Sequence, residues 1–144
     1  MRLRVTLLVA AGLLLAADAP KATDHDKIQG EWKITAEVQN GKETPAARNE
    51  KVRIRFTADK MIVSEGDEKH AGAYKLDPDK KPSTITVTPD DGPKKGKKGV
   101  GIYQLSGDTL TICLTLKEGK DPPSDFTAKA DSGRVMLTLE RIKP

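Results

Sequence analysis

Cys113, His25, His70 and the serines Ser64 and Ser106 are the side chains from which covalent or metal chemistry would have to be built. A nucleophilic cysteine reacts as its thiolate and needs a cation, an imidazole or a helix terminus beside it. Cys113 stands between Ile112 and Leu114 in an alternating run, so its parity places it on an outer face with Thr111 and Thr115. No group near it in sequence would lower its pKa. It is also the single cysteine of the chain, so no internal disulfide can form. A metal site takes roughly three or four ligands from converging elements. Asp24, His25 and Asp26 are adjacent and cannot face one ion together. His70 follows Glu65, Asp67, Glu68 and Lys69 in a turn, where a surface histidine is expected. Neither serine has the surroundings of a nucleophile elbow, and no glycine loop suited to phosphate occurs. The residues therefore predict a protein that is not an enzyme, with no catalytic residue, no metal site and no cofactor.

Lys94-Lys95-Gly96-Lys97-Lys98 is the strongest charge cluster. Nucleic-acid modules interleave aromatics with such charge, and the nearest aromatic, Tyr103, lies outside it. With Gly92, Pro93 and Gly96 as neighbours, the cluster reads as a solvated hairpin loop, and no nucleic-acid partner is expected. The net charge of the chain is +4, from 25 Lys and Arg against 21 Asp and Glu, which predicts no particular partner either.

The elements that must position these residues are strands. Ile28, Gly30, Trp32, Ile34, Ala36 and Val38 alternate with polar residues, and the same period recurs over 52–56, 61–64, 70–76, 84–88, 100–105, 110–116 and 135–141. Asn40-Gly41, Gly66-Asp67, Asp77-Pro78, Lys81-Pro82, Asp91-Gly92-Pro93, Gly107-Asp108 and Ser132-Gly133 supply turns between them. One helical turn is expected within 46–51 and a short extra strand within 125–128. About eight short strands with one buried face make a sandwich or a barrel. Trp32 on the first strand and Arg141, which shares the parity of Leu137 and Leu139 on the last, decide for the barrel. An inward arginine needs a partner, and a Trp ring face is a good one if first and last strands are neighbours. Trp32 and Arg141 then plug one end structurally, and closure removes the exposed edges. The fold expected is all-β, a small antiparallel up-and-down β-barrel.

Residues 1–19 read as a signal peptide: Arg2 and Arg4 precede an uncharged run, Val5 to Ala17, that is short of the roughly 17–25 residues a membrane helix takes. Cleavage after Ala17 and after Ala19 both remain open, and an uncleaved anchor is the less favoured alternative. Loss of Arg2, Arg4 and Asp18 leaves 23 basic against 20 acidic residues. Residues 20–27 then form an N-terminal segment and 28–143 the barrel, exported to the periplasm or outside the cell, with no integral membrane segment in the mature chain.

Gly30-Glu31-Trp32 resembles the Gly-x-Trp motif that opens lipocalins, and Arg141 is similar to the partner of that Trp in the same superfamily. The chain also resembles a family of exported, lipocalin-like (calycin-like) β-barrel domains abundant in planctomycetes. This rests on Ile28 to Trp32, on Leu76-Asp77-Pro78 with Lys81-Pro82 and Ile85, and on Gly101 to Leu105 running into Gly107 to Leu110. Cys113, Pro122-Pro123 to Phe126 and Leu139-Glu140-Arg141 add to it. The resemblance implies a secreted barrel and no particular activity.

Eight-stranded barrels are just wide enough to be filled by side chains or to hold one small ligand. The first expectation is a non-catalytic barrel binding a small apolar or amphipathic molecule. Ile34, Ala36, Ile54, Phe56, Tyr74, Val87, Tyr103 and Ile112 are the candidate cavity lining, with Tyr74 or Tyr103 as polar contact. Val38, Ile85 and Leu114 share their inward parity. Entry is expected from the end opposite Trp32, past the 117–134 loop carrying Phe126. The alternative is a filled barrel whose loops 89–99 and 117–134 bind a protein or cell-surface partner.

Overall fold

The computed structural model describes residues 22–117, 119 and 121–143. The expected signal peptide and its cleavage sites lie outside the described residues. The chain runs α1 (Asp24–Ile28), β1 (Gly30–Gln39), β2 (Lys42–Glu43), α2 (Ala46–Asn49), β3 (Val52–Phe56), β4 (Lys60–Glu65), β5 (Glu68–Asp77), β6 (Thr84–Pro89), β7 (Gly99–Ser106), β8 (Thr109–Thr115) and β9 (Arg134–Arg141). From β3 to β9 every strand pairs antiparallel with the next, and β1 pairs with both β3 and β9. Apart from the two-residue β2, which extends β1, the strands close an eight-stranded antiparallel barrel.

Closure is registered by Trp32, which faces Ile54 on one side and Arg141 on the other. Trp32, Ile54, Phe56, Ile85, Leu110, Ile112 and Leu139 are almost wholly buried and belong to one core cluster. This is the inward set that strand parity selects, and its burial is the main force holding the sheet closed.

Four departures from the sequence pattern have local causes. The first lies in the segment before β1. That segment holds α1, capped by a reciprocal Thr23–Asp26 box, and Ile28 ends this helix instead of starting a strand. Second, β1 carries a bulge between Ile34 and Ala36. Thr35 is the extra residue, and its hydroxyl donates to the Thr138 carbonyl at 3.1 Å. A bulge inverts the parity beyond it. Glu37 therefore faces inward-pointing Leu137, whereas Ala36 and Val38 face Thr138 and Met136; Ala36 is exposed, and neither belongs to the inward set. Third, residues 125–128 form no strand. They fold over the outer face of β8, held by Gly41 N–H donating to the Ala128 carbonyl at 2.6 Å. Fourth, this cover buries Cys113 completely, although its parity is outward as expected, and the thiol donates to the Thr127 carbonyl at 3.5 Å. The helical turn expected within 46–51 is present as α2.

Candidate ligand site at the open mouth of the barrel

The two ends of the barrel differ in kind. One end receives the start of β1, the 57–59 and 78–83 turns, the Gly107-Asp108 hairpin and the end of β9. α1 lies across it. Trp32 Nε1 donates to the Ile28 carbonyl at 2.8 Å, and the Arg141 guanidinium sits 4.4 Å from the Trp32 ring centroid. The same guanidinium donates to the carbonyls of Gln29 (2.8 Å) and Lys27, and its Nε reaches Asp108 at 3.3 Å. Gly30 makes this possible: its φ is +123°, and a Cβ there would lie 3.0 Å from Arg141 Nη1.

Both buried tyrosines also serve this end. Tyr103 OH donates to Asp24 Oδ2 at 2.7 Å, and burial followed by this hydrogen bond holds the phenol far above its ordinary range. Tyr74 OH donates to the Thr57 carbonyl at 2.6 Å, and burial raises its pKa as well. The ring of His25 stacks on Tyr74 and donates to the Ala58 carbonyl. With Ile54, Phe56 and Ile112 packed between them, this half of the barrel is filled.

The opposite end opens between β4, β5, β6, β7 and β8. Two clefts of about 310 and 370 Å³ meet there and share Val87, Pro89 and Lys94. The first is walled by Met61, Val63, Gly72 and the 91–94 turn, the second by Gly99, Leu114 and Leu116. Their volumes fall at the lower edge of the roughly 300–1,000 Å³ typical of small-molecule sites. Two glycines occupy inward positions on β7, and only the one at Gly99 leaves space. Leu114 already fills the place of a Gly101 side chain, whose Cβ would come within 2.6 Å of Leu114 Cδ2. Beside Gly99, in contrast, a Cβ would find nothing nearer than 3.8 Å.

Residues 90–98 overhang this mouth, tied by Gly96 N–H to the Pro89 carbonyl (2.9 Å) and Asp90 N–H to the Ala71 carbonyl (2.9 Å). Asp90 is paired with Lys60 at 2.7 Å and Asp91 with His70 at 3.1 Å. Both acids of the loop are thereby turned toward the strands. Lys94, Lys97 and Lys98, joined by Lys117 from the end of β8, line the clefts and enter no ion pair among the described residues.

Of the candidate lining residues, Val87 alone borders these clefts. Ile54, Phe56, Tyr74, Tyr103 and Ile112 are packed core, Ile34 leans half-buried against that core, and Ala36 is outside it. Phe126 lines neither cleft, because residues 125–128 fold over the outer face of β8. Val63, Pro89, Gly99 and Leu116 went unnamed at this mouth. Their inward parity was legible, but not which end of the barrel they would occupy.

A closed eight-stranded antiparallel barrel with a Trp–Arg pair at one end has the lipocalin-like architecture. The chain is a member of the lipocalin-like domain family, whose model matches residues 28–121. β9, which closes the barrel, lies beyond the matched span. No curated protein and no solved structure gives a significant match.

Proposed function

We propose that the protein is an exported, non-catalytic barrel that holds a small apolar or amphipathic molecule at the mouth opposite α1. The observation that carries this reading is the asymmetry of the interior: packed solid from Trp32 to Ile112, yet left open beside Gly99 with Val87, Val63, Pro89 and Leu114 bared to the clefts. Apolar walls stripped of water favour an apolar guest by roughly 25 cal/mol per Å² covered. Membership of a lipocalin-like family supports the same class of role. Export is supported by the leader pattern of residues 1–19 and by the resemblance to exported planctomycete-type domains. No helix among the described residues is long and apolar enough to cross a membrane. A non-catalytic role fits the placement of the reactive groups. Burial pushes the Cys113 thiol up, and both tyrosine hydroxyls are committed to the sealed end.

The test is binding of the neutral probe N-phenyl-1-naphthylamine, followed by its fluorescence. The protein is expected to bind it, and Val87→Asp is expected to abolish binding with little change in the unfolding midpoint. Equal binding by Val87→Asp overturns the site. Failure to bind any apolar probe, with capture of an envelope protein that depends on residues 89–99 and 117–134, assigns the protein to loop-mediated interaction instead.

A further inference from the structure

Apolar clefts on their own would suit a neutral guest. Here, however, every charged residue that lines the second cleft is a lysine. Lys94 borders both clefts, while Lys97, Lys98 and Lys117 stand around the second. Clusters of like charge on a surface are ordinarily relieved by neighbouring acids, and this loop has two within reach in Asp90 and Asp91. Asp90 is paired with Lys60, and Asp91, in contact with His70, borders the first cleft and not the second. Among the described residues these ammonium groups enter no ion pair, and they border apolar walls built by Val87, Pro89, Leu114 and Leu116. Charge and greasy surface that meet at one opening define the shape of a guest with a hydrocarbon tail and an anionic end.

We infer that the ligand is a single-chain anionic amphiphile, a long-chain carboxylate, whose tail lies against Val87 and Leu114 and whose head is held by Lys94, Lys97, Lys98 and Lys117. This rests on the reading above that the mouth takes an apolar guest, and adds the chemistry of its head group. The lysines recognise the head as flexible point charges, so selectivity falls on the sign of the charge more than on its geometry. Exposed ion pairs are individually weak and screened by salt, so the discrimination is a collective effect.

The experiment uses probes with one tail and different heads. Dodecanoate, 1-dodecanol and dodecyltrimethylammonium are each titrated against protein carrying N-phenyl-1-naphthylamine. Dodecanoate is expected to displace the probe about tenfold more tightly than dodecanol, with the cation weakest, and 0.5 M salt should shrink that gap. A variant with all four rim lysines as glutamine is expected to keep dodecanol binding and the wild-type unfolding midpoint while losing the preference. Lys94→Glu, a single exposed change, should invert the order of dodecanoate and the cation. Equal displacement by dodecanoate and dodecanol, or a preference that survives the glutamine variant, overturns the head-group assignment and leaves the apolar site standing. Probe that binds but is displaced by no chain overturns it as well. Absence of probe binding together with absence of all three chains removes both readings. Lysine-dependent sedimentation with phosphatidylglycerol vesicles without dodecanoate binding overturns the inference and assigns the rim to a membrane surface.

Discussion

Arg141 is held by more than its ring partner. Its guanidinium faces the Trp32 ring, two main-chain carbonyls of the α1 region and the Asp108 carboxylate, so truncation strands several acceptors at once. Asp108 is in turn held below the usual carboxylate range, chiefly by its hydrogen bond to Lys143. Trp32→Ala removes the largest fully buried side chain and should cost about 3–5 kcal/mol in urea unfolding. An unchanged midpoint would remove the plug assignment. Tyr103 allows a pH test. Its folded-state pKa is raised above the ordinary value of 10.0, so the neutral phenol is the form that the fold favours. Its contribution is fully present below pH 10 and is lost as pH climbs above it, since the unfolded chain releases that proton first. Stability should therefore fall steadily as pH rises above 10, and Tyr103→Phe should flatten the part of that fall due to this residue. Cys113 gives a third check: covered by residues 125–128, it should react with a disulfide reagent at pH 8 only at the rate of local opening.

At the scale of the element, the strands were legible because each keeps an apolar alternation that has to be buried on one side. The bulge in β1 was not, since Trp32, Ile34, Ala36 and Val38 continue the period without a break. What bends the strand is Thr35 reaching the Thr138 carbonyl, a partner 103 positions away. Sequence spacing contains no trace of such a contact. Deleting Thr35 would remove the bulge and leave Ala36 opposite Thr138 and Glu37 opposite Leu137, in an unbroken ladder. α1 was legible in principle: Thr23 and Asp26 stand at capping-box spacing, but five helical residues are too few to carry an amphipathic signal. Thr23→Ala should cost about 1 kcal/mol and raise amide exchange over 24–29. A residue set on a strand shows which side it faces, and the mouth needed to be known as well. That depends on shear around the barrel, which is fixed only when β1 meets both β3 and β9.

For the whole molecule, the division of labour between the two ends carries the functional argument. α1, Trp32 and Arg141 meet at one end, and the connections 40–51, 66–67 and 90–98 lie at the other. Changes at the mouth should therefore alter binding without touching the fold. Gly99→Leu places a side chain in the open space beside Val87 and is expected to reduce probe binding at an unchanged or higher unfolding midpoint. Loss of stability with retained binding would mean that the cleft lies elsewhere.

The pairing of β1 with β9 has a kinetic side. Arg141 and its Lys27 partner lie 114 positions apart, and no nearer strand can satisfy the free edge of β1. Contacts so distant in sequence have to be reached by diffusion of most of the chain, which places the rate of assembly among the slow, milliseconds-to-seconds topologies. Until β9 arrives, the chain carries two unpaired edges and remains open to the pairing partners of any neighbour. Arg141→Ala should accordingly speed unfolding more than it slows folding, since the clasp that it forms fastens last.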